Sequence, residues 1–236
     1  MASVGIIAEY NPFHNGHLYQ IQEIKRKYPT DTIIIAMSGN FTQRGEPAII
    51  DKWTRAHLAI ENGADLIVEI PYAFTTQSAD YYSYAGITLL ENLKVDKLIF
   101  GSESNNIDDI TEIAKAQLEQ EDFNKLVKIY SKFGYNYPSA LSLALKDLTG
   151  KVIKEPNDIL GITYIKTILK NKYKIKPATI KRTNDYHNKE LTGIISSATS
   201  IRENIDNLEK IKDSVPKNTY KALTTETLHK KEDYFN

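Results

Sequence analysis

Four short apolar runs alternate with amphipathic stretches over the first hundred residues, and this alternation restricts the chain more than any other feature. The runs are residues 4–8, 32–37, 65–70 and 97–100. Each has strand length and lacks the polar alternation of a sheet with one wet face, so both faces are expected to be covered. The stretches between them read as helices. Residues 17–28 carry Leu18, Ile21 and Ile24 on one stripe, with Lys25, Arg26 and Lys27 at the end where cations suit the helix dipole. Residues 52–61 stop at Asn62-Gly63, and residues 79–93 form a third helix. Strand–helix alternation of this kind predicts an α/β fold: a doubly wound parallel sheet, Rossmann-like, with helical additions. Ligands in such sheets sit at the carboxyl ends of the strands. That edge holds residues 9–17, 38–44, Pro71-Tyr72 and 101–103.

The remainder is mostly helical. Residues 108–150 read as a helical insertion broken near 134–138. Residues 157–169 read as a helix with Ile159, Ile162, Ile165 and Ile168 on one side, started by Pro156 and by Asn157-Asp158 as capping residues. Residues 178–181 form a candidate fifth strand with Arg182 at its carboxyl end, and residues 196–202 open a last core helix. The expected division is a catalytic domain over 1–205, with 206–236 beginning a further helical region. The chain ends on Asp233-Tyr234-Phe235-Asn236 with an aromatic pair still to be buried, so it is expected to be a piece of something longer.

Composition removes several classes of function. The chain has no cysteine, which excludes disulfides and thiolate zinc sites. No apolar run approaches the roughly 20 residues of a membrane span, and no secretory leader precedes the first strand, so a cytoplasmic location without a membrane partner is expected. Net charge is zero but unevenly spread: residues 1–150 hold 13 Lys and Arg against 19 Asp and Glu, whereas residues 151–189 hold 10 against 3. A basic segment following an acidic body offers one face to a polyanion, or is a solvated lysine-rich helix and strand.

The loop Asn11-Pro12-Phe13-His14-Asn15-Gly16-His17 carries the chemistry. A helix beginning here exposes unpaired backbone N–H groups and a partial positive charge, which together attract phosphate. Gly16 allows close approach of the backbone, and His14 and His17 can each donate a ring N–H to phosphate oxygens as charge builds in a transition state. No side-chain nucleophile is needed, because the substrate supplies one. The His-x-x-His spacing also occurs in metal sites, but neither cysteine nor a clear carboxylate completes a set, so no protein metal site is assigned.

These residues resemble the nucleotidyltransferase superfamily that includes class I aminoacyl-tRNA synthetases and small adenylyltransferases. Its second motif, Ile-Ser-Ser-Thr-x-Ile-Arg, resembles Ser196 to Arg202, with Ala198 where the second serine is usual. Further runs resemble the bacterial tRNA(Met) cytidine acetate ligase family. They are Glu9-Tyr10-Asn11-Pro12-Phe13-His14-Asn15-Gly16-His17, Met37-Ser38-Gly39-Asn40-Phe41, Gln43-Arg44-Gly45-Glu46-Pro47-Ala48 and Asp51-Lys52-Trp53-Thr54-Arg55-Ala56. Phe100-Gly101-Ser102-Glu103, Pro156-Asn157-Asp158-Ile159-Leu160-Gly161 and Ser197-Ala198-Thr199-Ser200-Ile201-Arg202 complete the resemblance, which spans nearly the whole chain. Members of that family are longer and carry a further C-terminal region.

The resemblance implies an ATP-dependent ligase. Acetate would attack the α-phosphate of ATP to give acetyl-adenylate and pyrophosphate, and the acetyl group would pass to N4 of the wobble cytidine of elongator tRNA(Met). Mg²⁺ is expected on the triphosphate. The ATP loop would be Ile7, Ala8, Glu9, Tyr10, Asn11, Pro12, Phe13, His14, Asn15, Gly16, His17, Leu18, Tyr19 and Gln20, joined by Gly101, Asn157, Arg182 and Ser197. His14, His17 and Arg202 would act on the phosphates. From the residues alone, Gly101 also reads as a strand-end turn, Asn157 as a helix cap, and Arg182 as an RNA-facing or solvated cation. Gln43 and Arg44 are placed near acetate or cytidine. Arg55 either reaches phosphate or is a helix-surface charge. Trp53 and the run Tyr81-Tyr82-Ser83-Tyr84 read first as packing residues.

Two other readings share the loop: an adenylyltransferase that builds a dinucleotide-type cofactor, and a non-catalytic module that binds nucleotide or tRNA.

Overall fold

A computed structural model describes residues 2–118, 120–182 and 194–234. Among them, five parallel strands form one sheet in the order β3-β2-β1-β4-β5, comprising β1 (Ser3–Ala8), β2 (Thr32–Ser38), β3 (Leu66–Ile70), β4 (Lys97–Ser102) and β5 (Lys176–Lys181). The fold is α/β, doubly wound and parallel. The chain works outward from β1 to β3, returns across the sheet and continues outward through β4 and β5. Neighbouring strands β1 and β4 therefore mark the switch point where such sheets open a crevice.

Side chains alternate across the sheet and feed two cores. One face buries Val4, Ile6, Ile33, Ile35, Met37 and Ile180 beneath α1 (Asn15–Lys27) and α2 (Lys52–Glu61). Ile201, Ile211, Val215 and Leu223 join this core from α9 (Ala198–Glu203), α10 (Leu208–Ile211), a 3-10 turn and α11 (Lys217–Thr225). The other face buries Ile34, Ala36, Leu98 and Phe100 beneath α4 (Ala79–Asn92), α5 (Ile107–Leu118) and α8 (Pro156–Asn171). The short α3 (Tyr72–Thr75) follows β3 and was not anticipated, because Pro71 reads equally as a stop. The helical insertion comprises α5, α6 (Gln120–Lys132) and α7 (Tyr137–Thr149), with the break after α6 where expected. Among the described residues, no helix is long and apolar enough to cross a membrane.

Several local expectations change. On α8, Ile162, Ile165 and Ile168 are buried, but Ile159 is 46% exposed, because it points away from the stripe that buries Asp158, Ile162 and Ile165. Trp53 packs against little and is 74% exposed, with the Lys52 ammonium 5.1 Å from its ring centre. Of the tyrosine run, Tyr82 is buried while Tyr81 and Tyr84 are exposed.

Arg55 is neither a surface charge nor a group that faces the cleft. It is fully buried, and its guanidinium donates to three backbone carbonyls: Ile50 O at 3.0 Å, Glu9 O at 2.5 Å and Gly39 O. One planar fork thus ties together the loops leaving β1 and β2 and the turn before α2, a geometry lysine cannot copy. Burial lowers its pKa to about 10, opposed by the charges of Glu9, Asp51 and Glu69, so the group stays charged at neutral pH. Arg55→Met would strand all three carbonyls and is expected to cost about 3 kcal/mol or more of stability, with Arg55→Lys recovering only part. Urea denaturation measures this, and a midpoint unchanged in Arg55→Met would remove Arg55 from the role of tying the loops.

Candidate functional site

The turn from β1 to α1 buries its own polar residues. Tyr10 takes a left-handed conformation (φ 49°), the Asn11–Pro12 peptide is cis, and Asn11, Phe13 and His14 are buried. Asn11 is held twice: its Oδ1 accepts from Ile49 N at 2.8 Å, and its carbonyl accepts from Arg202 at 2.7 Å. Asn15 donates to the carbonyls of Ile194 (2.7 Å) and Asp213 (2.8 Å). Asn11 and Asn15 thereby fasten the first motif to the second, where Ser197 caps α9 through its Oγ, accepting from Ser200 N at 3.0 Å.

His14 and His17 cap α1 reciprocally. The His14 Nδ1 accepts from Gly16 N at 3.0 Å, and the His17 Nδ1 accepts from His14 N at 3.3 Å. With both Nδ1 atoms used as acceptors, each neutral ring carries its proton on Nε2. The rings stack at 3.7 Å between centres, and Tyr10 and Phe13 close around His17. Burial, together with the nearby Arg182 and Arg202 charges, lowers the His14 pKa to about 3. Burial, His14 and Arg182 hold His17 well below the usual histidine range. Both rings are therefore neutral, single Nε2–H donors at physiological pH. Gly16 belongs to the same device, since a Cβ there would sit 2.8 Å from the His14 Cε1.

The two histidines open onto a cleft at the carboxyl ends of β1, β4 and β5. Gly16, Tyr19, Gln20, Gly101, Ile180, Lys181 and Arg182 complete its lining. Gly101 lies inside β4, opposite Ile180, and is no turn residue. Its missing side chain makes room for Arg182, whose Cγ lies 3.2 Å from where a Cβ would stand. Asn157 is not a cap either. The N-cap of α8 is Glu155, without a side-chain bond, and Pro156 is the first helical residue. The Asn157 amide instead donates to Glu103 Oε1 at 2.5 Å and accepts from Arg182 at 3.5 Å. Asp158, beside it, is buried and binds Ser102 Oγ and Ser104 N, fixing the loop after β4.

The structure therefore brings His14, Gly16, His17, Tyr19, Gln20, Gly101 and Arg182 together around one cleft, with Asn157 bonded to Arg182 and Arg202 tied to the loop behind it. Other candidates face elsewhere. Ile7 packs into the space left by Gly86, Phe13 is fully buried, and Ala8 and Leu18 lie against the core. Gln43 is pinned in a small hairpin, its N–H donating to Glu9 Oε1 at 2.8 Å and its amide to Gln77 O. Arg44 is exposed at the tip of that hairpin. Gln43, Arg44 and Arg55 do not line the cleft. Glu103 was missed as a site residue, although it stands at the carboxyl edge just past the fourth apolar run.

Among the described residues, the basic segment does not present one face. Lys170, Lys172, Lys174 and Lys176 are exposed at the end of α8 and the start of β5, the amino edge of the sheet. Lys181 and Arg182 lie a strand length away, roughly 17 Å, at the cleft. Thr183 to Lys189 fall within 183–193, outside the described residues.

A family model described as HIGH Nucleotidyl Transferase matches residues 1–236. The chain belongs to that family. The tRNA(Met) cytidine acetate ligase of Caldicellulosiruptor saccharolyticus is 45% identical over 230 residues, covering 96% of this chain and 58% of that protein. The protein of the same name from Anoxybacillus flavithermus is 40% identical, covering 100% of this chain and 62% of its own length. A crystal structure of apo Thermotoga maritima TmcAL aligns with a TM-score of 0.88 at 36% identity, covering 95% of this chain and 56% of that one. A structure of the same protein bound with alpha-thio ATP gives 0.85. The chain thus spans somewhat over half the length of these relatives of the HIGH nucleotidyl transferase family.

The neutral state of His14 has a consequence for stability. The unfolded imidazole takes up a proton below about pH 6.5, whereas the folded one refuses it until about pH 3. Protons therefore favour the unfolded chain across that window, and stability falls as pH falls. The His14 contribution is about 2 kcal/mol between pH 6.5 and 5. Urea melts at pH 7.5, 6 and 5 should show a shallower loss in His14→Asn, and identical slopes in the two proteins would contradict a buried neutral His14.

Proposed function

We propose that this chain is the nucleotide-activating part of a tRNA(Met) cytidine acetate ligase. The observation that carries the reading is the pair of neutral imidazoles, their Nδ1 atoms used in the helix cap, that line a cleft shared with Arg182. Such donors stabilise charge that appears only in the transition state, without first having to give up a proton. Acetate attacks the α-phosphate of ATP, the bond to the β-phosphate oxygen breaks, and pyrophosphate leaves. His14 and His17 donate to the phosphate oxygens on which charge builds, Arg182 neutralises the triphosphate, and Arg202 holds the loop and faces the phosphates from the second motif. Gly16 and Gly101 leave room for the His14 ring and the Arg182 side chain, and the remaining residues of the loop from Ile7 to Gln20 shape the cleft. In the second step N4 of the wobble cytidine of elongator tRNA(Met) attacks the acetyl carbonyl carbon and AMP departs.

Mg²⁺ enters this scheme as part of the nucleotide substrate. Among the described residues, no group of three His, Asp or Glu side chains is arranged to hold a metal ion, and no step is routed through one. Support for ATP and tRNA as substrates comes from the relatives' names and from the alpha-thio ATP complex of the Thermotoga protein.

An adenylyltransferase that joins ATP to a nucleotide monophosphate would use the same cleft, so the acceptor decides. Exchange of labelled pyrophosphate into ATP is expected with acetate present and absent without it. His14→Ala should lower that exchange by about 10²–10³-fold, the scale of losing one transition-state donor. Exchange driven by nicotinate mononucleotide or phosphopantetheine, and never by acetate, would replace this reading with the adenylyltransferase one.

A further inference from the structure

We infer that Glu103 is a positioning residue for nucleotide binding: its carboxylate orients Arg182 and Asn157 at the wall of the cleft. The inference rests on the nucleotide reading of that cleft. The Glu103 side chain is 12% exposed, and Arg182 Nε lies 3.6 Å from its Oε1. That same oxygen accepts from Asn157 Nδ2, which turns the Asn157 Oδ1 toward Arg182. The other oxygen accepts from Asp158 N at 3.2 Å, so Glu103 supplies to α8 the N-terminal cap that Glu155 does not. Its carbonyl accepts from Lys181 Nζ.

The geometry constrains how Arg182 can lie. Its aliphatic part rests over the bare Cα of Gly101, and Glu103 and Asn157 hold the guanidinium end. An unrestrained arginine would lose several rotatable bonds' worth of freedom on gripping an anion. Holding it beforehand removes that cost from binding. A carboxylate beside an anion site is otherwise unfavourable, since like charges repel.

Charge and positioning therefore predict opposite signs for Glu103→Gln. Removing the negative charge alone would tighten binding of Mg-ATP. Loss of positioning weakens it, and the expected result is a Kd for Mg-ATP raised about tenfold. Gln keeps an oxygen to accept from Asp158 N, so the melting temperature should stay within a few degrees. In an Arg182→Ala background the same substitution should change Kd less than twofold, because the arginine it acts through is gone. Calorimetric titration of the four proteins reads all of this. Binding that is unchanged or tighter in Glu103→Gln overturns the proposal. So does an equal loss in both backgrounds, or a melting temperature lower by more than about 10 °C, which would make Glu103 a folding residue. A wild-type chain that binds no Mg-ATP would instead overturn the nucleotide reading on which the proposal stands.

Discussion

His14 and His17 use their two ring nitrogens for different ends, and most of the site depends on that division. Nδ1 of each ring closes an open backbone N–H at the start of α1. A serine or aspartate would cap the helix as well. Imidazole adds a second nitrogen on the far side of the ring, with its proton assigned by the cap itself. The helix start and the donor pair are thus one structure, and neither can be adjusted without the other. Burial then keeps the rings neutral, so the donors are present across the physiological range without a competing protonation.

The strand–helix alternation, the loop after β1 and the stop of α2 at Asn62-Gly63 were legible in the sequence, because each follows from local spacing and local hydrogen bonding. Five strands lie where apolar runs were read, with ends displaced by a residue or two. The misreadings are of another kind. Asn157 is an asparagine at a helix start, the residue type of a cap, but its partners Glu103 and Arg182 lie just past the ends of strands, 54 and 25 positions away. Arg55 lies on an amphipathic helix where a charge is ordinarily solvated, and only the meeting of three loops explains its burial. Local patterns report what a residue can do within one turn of itself. They are silent about partners that the topology delivers.

Charge illustrates the same limit on a larger scale. Residues 151–189 are strongly basic in sequence, yet among the described residues β5 separates Lys170, Lys172, Lys174 and Lys176 at one edge of the sheet from Lys181 and Arg182 at the other. Several lysines are already matched: Lys151 to Asp109 and Glu112, and Lys166 to Asp80. Among the described residues, what reaches the cleft is a small group, Lys181 and Arg182, set beside Glu103. Charge density along a chain becomes a surface only when the segment runs along one face, and a strand crossing a sheet does the reverse.

The arrangement around the cleft also bears on why so little of it is free to relax. Arg202 holds the carbonyl of Asn11, Asn15 holds two carbonyls near the second motif, and Arg55 holds the loops behind. These bonds are all to backbone, so they fix the course of the loop while leaving the imidazole Nε2 atoms unspent. A site that must stabilise charge appearing during a reaction gains most from donors already aimed, since reorientation during the event would itself cost free energy. Cations near neutral histidines make the opposite trade for folding. Arg182 and Arg202 help hold His14 unprotonated, and the chain accepts the acid sensitivity that follows. On the proposed reading, that loss of stability and the ready donors have one origin: imidazoles buried beside Arg182 and Arg202 and kept neutral there.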